Sequence, residues 1–105
     1  MTRSTFIELK EQLLDEADSL MNSKNQDYTK GNQDYLANFK EGVTFDVNPL
    51  QTCGLFMKKH MDAIYNYIRT GGQSESEPIR ERIKDGINYL ILLNALIEEH
   101  EEKAN

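Results

Sequence analysis

Three carboxylates spaced one helical turn apart are the residues of this chain whose types and spacing could do chemistry. Glu77, Glu81 and Asp85 lie four residues apart, and Asn88 follows three residues after the last of them. In a helix these side chains share one stripe. Like charges at this spacing repel each other by roughly 0.2–0.5 kcal/mol per pair unless a cation lies between them. This acidic ladder therefore predicts a bound divalent metal ion, and the alternative is a solvated face neutralised by neighbouring Arg and Lys side chains.

The types of the candidate ligands favour Mg²⁺ or Mn²⁺. Carboxylate oxygens bind hard cations of this kind. The two histidines are His60 and His100, and the second belongs to a charged tail, so we predict neither a His-based zinc site nor a nucleophilic triad. Cys53 is the sole cysteine and lies among apolar helical positions. It is predicted to be a core residue in a reducing, intracellular environment.

Periodicity and capping signals predict a single all-α domain over residues 1–105. Thr5 and Glu8 form a capping-box pattern at the start of the first helix. Asn48 before a proline is typical of a helix start, and Gly71 is typical of a helix stop. The predicted helices cover residues 4–24, 48–70 and 77–99, with a loop at 25–47 and a tail at 100–105.

The loop at 25–47 is polar but carries aromatic side chains. Tyr28 and Phe39 lie in it without the periodicity that would assign them to a helix face. A short extra helix is predicted near 34–40. Loops of this length are uncommon in compact domains unless they are functional. We therefore expect this aromatic loop to be functional.

Charge and hydropathy narrow the classes of partner. The net charge of −6 argues against DNA or RNA as a partner, because phosphate backbones require clustered Lys and Arg. No apolar run approaches the roughly 20 residues of a membrane span, so we predict a cytoplasmic protein without a membrane partner. The third predicted helix is apolar on nearly every side from Ile87 to Ile97. That pattern predicts burial on two sides, and hence a homo-oligomer, either a dimer or a tetramer.

Four ordered motifs resemble a family of small phage proteins associated with nucleotide modification. The motifs are Lys24-Asn25-x-Asp27-Tyr28, Leu36-Ala37-Asn38-Phe39, Lys59-His60-x-Asp62 and Glu77-Pro78-Ile79-x-x-x-Ile83-x-Asp85-x-Ile87-Asn88-Tyr89-Leu90. That family is similar in turn to the all-α, MazG-like nucleoside triphosphate pyrophosphatases, which bind Mg²⁺ through carboxylates on neighbouring helices. The resemblance implies an oligomeric helical bundle of that type and, for a phage-encoded protein, the host cytoplasm.

The resemblance also implies a function, a metal-dependent pyrophosphohydrolase that converts a (deoxy)nucleoside triphosphate to the monophosphate and pyrophosphate. The implied metal ligands are Asp62, Glu77, Glu81 and Asp85, of which Glu81 and Asp85 are the catalytic pair. The implied nucleotide-binding residues are Lys24 and Lys59 for phosphates, Tyr28 or Phe39 for the base, Asn38 or Asn88 for a base edge or the sugar, and Asp27 and Tyr89.

Two other functions remain open from the sequence. Where the pyrophosphatases commonly carry Glu-Glu-x-x-Glu, this chain has Lys58-Lys59-x-x-Asp62. Replacing an acid by lysine removes a metal ligand, but an ammonium group holds a phosphate directly. One alternative is therefore a non-catalytic nucleotide-binding phage protein that sequesters a nucleotide signal of host defence. The other is a purely structural helical oligomer, which leaves the aromatic loop unexplained.

Overall fold

The computed structural model describes residues 1–25, 33–72 and 78–104. In order along the chain these form helix α1 (Arg3–Ser23), a 3-10 helix (Ala37–Phe45), helix α2 (Pro49–Thr70) and helix α3 (Ile79–Ala104). The predicted all-α class is confirmed, because the described part of the chain contains helices and no strand. The short extra helix predicted near 34–40 is present as the 3-10 helix, which extends a few residues further.

The cap of α2 agrees with the prediction and that of α1 does not. Asn48 accepts a hydrogen bond from the backbone N–H of Gln51, whose side chain accepts one from the Asn48 N–H in return. In α1 the N-cap is Thr2, which accepts from the Thr5 N–H at 3.2 Å. The capping box predicted at Thr5 is therefore wrong. Thr2 offers the same hydroxyl chemistry three residues earlier, so the helix gains a turn.

Helix α3 is longer than predicted at its carboxyl end. It continues to Ala104, through most of the segment predicted as a tail. Glu99 accounts for part of this extension, because it pairs with Lys103 one turn later at 3.7 Å and with Lys40 of the 3-10 helix at 2.6 Å. Such pairs support a helix end and tie it to the rest of the chain. The predicted start at residue 77 lies outside the described residues.

Helix α3 is the central element, because both α1 and α2 pack against it and the 3-10 helix packs against α2. The core between them is small and joins residues from three elements. Its buried members are Leu36, Phe39, Cys53, Leu92 and Leu96. Cys53 is a core residue as predicted, and burial raises the pKa of its thiol to about 11. None of the described helices is long and apolar enough to cross a membrane.

Candidate functional site

A group of charged side chains is buried where α3 meets α1 and α2. Arg82 and Asp85 are one turn apart on α3, His60 comes from α2, and Lys24 is the C-cap residue of α1. We call these four residues the Asp85 cluster. Arg82, Asp85 and His60 are each less than one-tenth exposed. Charged residues are seldom buried unless they are paired, so each contact in this cluster requires explanation.

Asp85 is the centre of the cluster, with Lys24 at one of its carboxylate oxygens and His60 near the other. Lys24 Nζ donates a hydrogen bond to Asp85 Oδ1 at 2.9 Å. His60 Nδ1 lies 3.6 Å from Asp85 Oδ2. The Asp85 side chain is 7% exposed, whereas that of Lys24 is 37% exposed. The ammonium of Lys24 is thus held by a buried carboxylate, and the Lys24 side chain is itself partly exposed.

His60 lies between the acid and a second cation. Its Nδ1 is 3.3 Å from Arg82 Nη1, and its ring stacks on Tyr89 with centroids 5.4 Å apart. Burial is the main cause that lowers the pKa of His60 below its usual value of 6.5. The charges of Lys59, Arg82 and Lys24 lower it further, while Asp85 opposes the shift. At neutral pH the ring is therefore neutral, and Nδ1 is free to accept from Arg82.

The lowered pKa of His60 predicts a loss of stability in mild acid. As the pH falls below about 6.5, His60 becomes protonated in the unfolded chain before it does so in the folded chain. The free energy of unfolding should therefore decrease from pH 6.5 downward until the pKa of the folded state is reached. Urea unfolding at pH 7.5, 6.5 and 5.5 measures this effect. His60→Gln should lose that part of the pH dependence, and His100→Gln, on an exposed position of α3, should keep it. If the free energy of unfolding decreased equally with pH in His60→Gln and in the wild type, His60 would not be the group responsible.

Asn88, three residues after Asp85 on α3, is buried and has a structural role. It is 1% exposed, and its Nδ2 donates to the backbone carbonyl of Ala17 in α1 at 2.8 Å. Its Oδ1 has no hydrogen-bond partner within the part of the chain that the structure describes. The prediction that Asn88 reads a base edge or sugar does not agree with this burial. The residue instead joins α1 to α3 through a helix-to-helix hydrogen bond.

The two described acids of the acidic ladder, Glu81 and Asp85, pair with different lysines. Lys84, three residues after Glu81, donates to it at 3.0 Å and also pairs with Glu16 of α1 at 2.8 Å. These contacts raise the pKa of Lys84, and the hydrogen bond from Lys84 is the main cause that lowers the pKa of Glu16. Asp85, one turn later, is paired with Lys24 instead. Cations of the chain itself therefore relieve the repulsion between these two acids, as the alternative interpretation of the ladder required.

The predicted residues of α2 and of the 3-10 helix lie apart from this cluster or at its edge. Asp62 accepts a hydrogen bond from Lys58 at 2.5 Å, and its side chain is 59% exposed. It comes two residues after His60, which places it on another side of the helix. Lys59 is exposed beside His60, and Asn38 is partly buried. Of these, Lys59 is the one whose charge acts on the cluster.

The two predicted aromatic contacts that the structure describes are packed inside the protein. Phe39 is fully buried, with its ring centroid 5.8 Å from that of Phe56 and 6.4 Å from that of Tyr89. The prediction that Phe39 stacks on a base is wrong for this structure, because no face of its ring is accessible. Tyr89 is partly buried against Phe39 and His60. The predicted residues Asp27, Tyr28 and Glu77 lie outside the described residues.

The predicted metal ligands that lie within the described residues do not form a site that fits Mg²⁺. Asp62, Glu81 and Asp85 each have a lysine ammonium on the carboxylate, and the three lysines are different. Among the residues that the structure describes, no three Asp, Glu, His or Cys side chains converge on one point. A magnesium ion needs several oxygen ligands in near-octahedral geometry. These three acids are therefore arranged for ion pairs within the protein.

The sequence did not reveal that Lys24 and His60 lie next to Asp85, or that Arg82 lies next to His60. The available signal was weak: His60 and Lys24 each belong to a motif of the resemblance, and Arg82 is one turn before Asp85. Comparisons with protein-family models, with curated proteins and with solved structures give no match. The resemblance to the phage family and to the MazG-like enzymes therefore stays a prediction made from motifs.

Proposed function

We propose that the protein binds a nucleotide, or a related phosphorylated small molecule, by direct contact from lysine to phosphate and without chemical turnover. The observation that supports this function is the ammonium of Lys24. This ammonium is held at 2.9 Å by the buried Asp85, and the Lys24 side chain as a whole is still 37% exposed. A lysine ammonium has three N–H donors. One of them is donated to Asp85, and an anion would accept from the others.

The charges around His60 favour an anionic ligand in the same place. Three cations, Lys59, Arg82 and Lys24, and one carboxylate, Asp85, act on its imidazole. Because the ring is neutral at pH 7, these fixed charges set the local potential. The three cations outnumber the one carboxylate, and a local excess of positive charge attracts phosphate, although the chain as a whole carries a net charge of −6. Direct binding to lysine is the behaviour expected of a protein that sequesters a nucleotide.

The need to fix the Lys24 ammonium before a ligand binds also explains why Asp85, its acidic partner, is buried. A free lysine side chain loses conformational entropy when it binds a ligand, which weakens the affinity. Asp85 restricts the ammonium before the ligand arrives, and burial restricts Asp85. His60 Nδ1 lies 3.6 Å from the other carboxylate oxygen of Asp85, and Arg82 Nη1 lies 3.3 Å from the same ring nitrogen. The cluster therefore presents Lys24 in one preferred position at the end of α1.

The test is nucleotide binding in the presence and absence of divalent metal. Wild-type protein should retain a nucleotide from a panel, with similar affinity in Mg²⁺ and in EDTA, when measured by calorimetry. Asp85→Asn keeps the shape of the side chain but releases Lys24 from its carboxylate. Affinity should therefore fall, but by less than in the double variant, because the ammonium is still present and is no longer held in place. Lys24→Met/Asp85→Asn should weaken binding by roughly 10- to 100-fold, because a hydrogen bond to a charged group contributes about 1.5–3 kcal/mol. Lys58→Met, a lysine paired with an exposed acid on α2, is the matched control.

Hydrolysis of a nucleoside triphosphate stays a second proposal. One observation favours it: Glu81 lines a groove of about 410 Å³ between α1 and α3, together with the acids Asp15 and Glu16. In that case Asp85→Asn should abolish Mg²⁺-dependent binding and the release of pyrophosphate. The same variant therefore separates the two functions, since it keeps the Lys24 ammonium and removes a metal ligand. Retention of the unchanged nucleotide supports sequestration, and release of pyrophosphate by the wild type would overturn it.

Self-association belongs to the same proposal. Large apolar side chains remain exposed on α1 and α3, among them Phe6 at 58%, Leu90 at 54% and Ile91 at 54%. Contiguous exposed apolar surface on a small protein is typical of an interface. A homo-oligomer, a dimer or a tetramer, covers such surface and stabilises a chain whose own core is small.

A further inference from the structure

The outer face of α3 is an apolar surface that the rest of the described chain leaves exposed at its middle and towards its carboxyl end, while Ile83 and Ile87 are half-buried. Seen down the helix axis, it lies on the side away from Asp85, Asn88 and Leu92, which face α1 and α2. Leu90 and Ile91 are each 54% exposed at its middle, and Ile97 is 39% exposed towards its end. We call this surface the α3 outer face; its members are Ile83, Ile87, Leu90, Ile91 and Ile97. It extends along about four turns of the helix.

The dimensions of the chain indicate that it lacks a packing partner. Its accessible surface is 7514 Å², whereas a compact monomer of this mass has about 6,100 Å². Its radius of gyration is 15.9 Å, against about 13 Å for a compact chain of this length. A standard interface buries about 800 Å² on each partner. The chain thus has spare surface on the scale that one such interface removes.

Charges at the two ends of the α3 outer face are opposite in sign. Arg80 precedes the face, and Glu98 and Glu101 follow it, all three on exposed positions. These residues project to the same side of the helix as the apolar stripe. If a second α3 packs against the first in the opposite direction, each Arg80 meets the acidic end of the other copy. Parallel packing would instead place like charges together, which is unfavourable.

A groove next to Arg80 provides space for that acidic end. The groove has a volume of about 600 Å³ and lies between the first turns of α1 and the start of α3. Phe6, Leu9, Leu13 and Ile83 form its apolar wall, and Lys10 and Arg80 add positive charge. Ile97 is one residue before Glu98, so the end of a second α3 combines the apolar and acidic groups that this groove would accept. The α3 outer face and the groove share Ile83 and therefore form one continuous surface.

We propose that two copies of the chain pair about a two-fold axis through their α3 outer faces, with the two helices antiparallel. Leu90 and Ile91 lie near the axis and contact the same residues of the other copy. Each Arg80 pairs with Glu98 or Glu101 of the other copy, and each Ile97 enters the groove at Phe6 and Leu9. This arrangement specifies the self-association stated under the proposed function and rests on that part of it. It does not depend on nucleotide binding.

Sedimentation or light scattering at micromolar concentration tests the surface. The wild type should have the mass of a dimer or of a dimer of dimers. Leu90→Glu and Ile91→Glu should each raise the dissociation constant of the dimer at least tenfold. Leu55→Glu is the matched control, because Leu55 is a leucine of similar exposure on the outer side of α2. Circular dichroism confirms that each variant is folded, since all three positions are exposed to solvent in the single chain.

Charge reversal tests the direction of packing. Arg80→Glu alone and Glu98→Arg/Glu101→Arg alone should each weaken the dimer, because each places like charges at both ends of the interface. An equal mixture of the two variants should form a heterodimer in which both contacts are attractive. A parallel dimer already places like charges at both ends, so Arg80→Glu would leave it no weaker. A wild-type dimer that Arg80→Glu does not weaken, or a mixture that fails to associate, would overturn the antiparallel arrangement.

The outcomes separate this inference from the proposed function. A monomeric wild type would overturn both the arrangement and the proposed self-association. A wild-type oligomer that survives Leu90→Glu and Ile91→Glu would overturn this interface alone. Nucleotide affinity is measured independently with the Lys24 and Asp85 variants, so its loss or retention does not decide the interface.

Discussion

Phe39→Ala should lower the free energy of unfolding by roughly 3–5 kcal/mol, as truncation of a buried aromatic residue typically does. Phe39 is fully buried and touches the rings of Phe56 and Tyr89. It therefore connects the 3-10 helix to both α2 and α3. Because the described core is small, the surrounding side chains have few neighbours that could move to fill the cavity. Urea or thermal unfolding followed by circular dichroism measures the loss.

Phe45→Ala is the control for this prediction. Phe45 is the last residue of the same 3-10 helix and is 81% exposed, so its truncation should change stability by less than about 0.5 kcal/mol. Nucleotide affinity should be unchanged in whatever fraction of Phe39→Ala stays folded. If Phe39→Ala unfolds like the wild type and loses nucleotide affinity, the ring binds ligand in solution, and the core assignment is wrong.

Lys24→Met should destabilise the protein by up to roughly 3 kcal/mol, the lower end of the range for breaking a buried ion pair. The variant removes the ammonium and leaves the carboxylate of Asp85, which is 7% exposed, without its hydrogen bond at 2.9 Å. The loss is at the lower end because Lys24 itself is partly exposed. Protonation of His60 would compensate in part, so the destabilisation should be smaller in mild acid than at pH 8.

A double-mutant cycle separates the energy of the Lys24–Asp85 ion pair from the other contributions of the two side chains to stability. Lys24→Met/Asp85→Asn removes both charges and should recover most of the stability lost in Lys24→Met alone. Lys58→Met, which breaks an ion pair between exposed residues on α2, should cost less than about 1 kcal/mol. Equal losses in Lys24→Met and Lys58→Met would mean that Asp85 does not depend on Lys24. In that event the argument that Asp85 positions Lys24 for a phosphate would also fall.

The sequence by itself determined the features that depend on neighbouring residues. The start of α2 at Asn48 and its end at Gly71 follow from local chemistry, a side-chain cap and a glycine at positive φ. The all-α class follows from helical periodicity, which also placed Cys53 in the core. Where two local signals compete, as for Thr2 and Thr5 at the start of α1, the sequence did not separate them, because both threonines offer the same hydroxyl.

Phe39 shows how a polar segment concealed a core residue. Leu36 and Phe39 are three residues apart and both buried. This spacing matches a 3-10 helix, in which residues three apart lie on one side. Two apolar residues in a polar segment are too few to establish a periodicity. Only the packing of the 3-10 helix against α2 decided that these side chains face inward.

The pairing of each acid with its cation was decided by the tertiary structure. Glu81 is neutralised by Lys84, a neighbour on the same helix that the sequence already offered. Asp85 is paired with Lys24, which is 61 residues away in the chain, and approaches His60 of another helix. Helical periodicity places acids on one stripe but contains no information about which side chain of another helix will face that stripe. The choice between a metal site and an ion-pair cluster therefore depended on how α1, α2 and α3 pack.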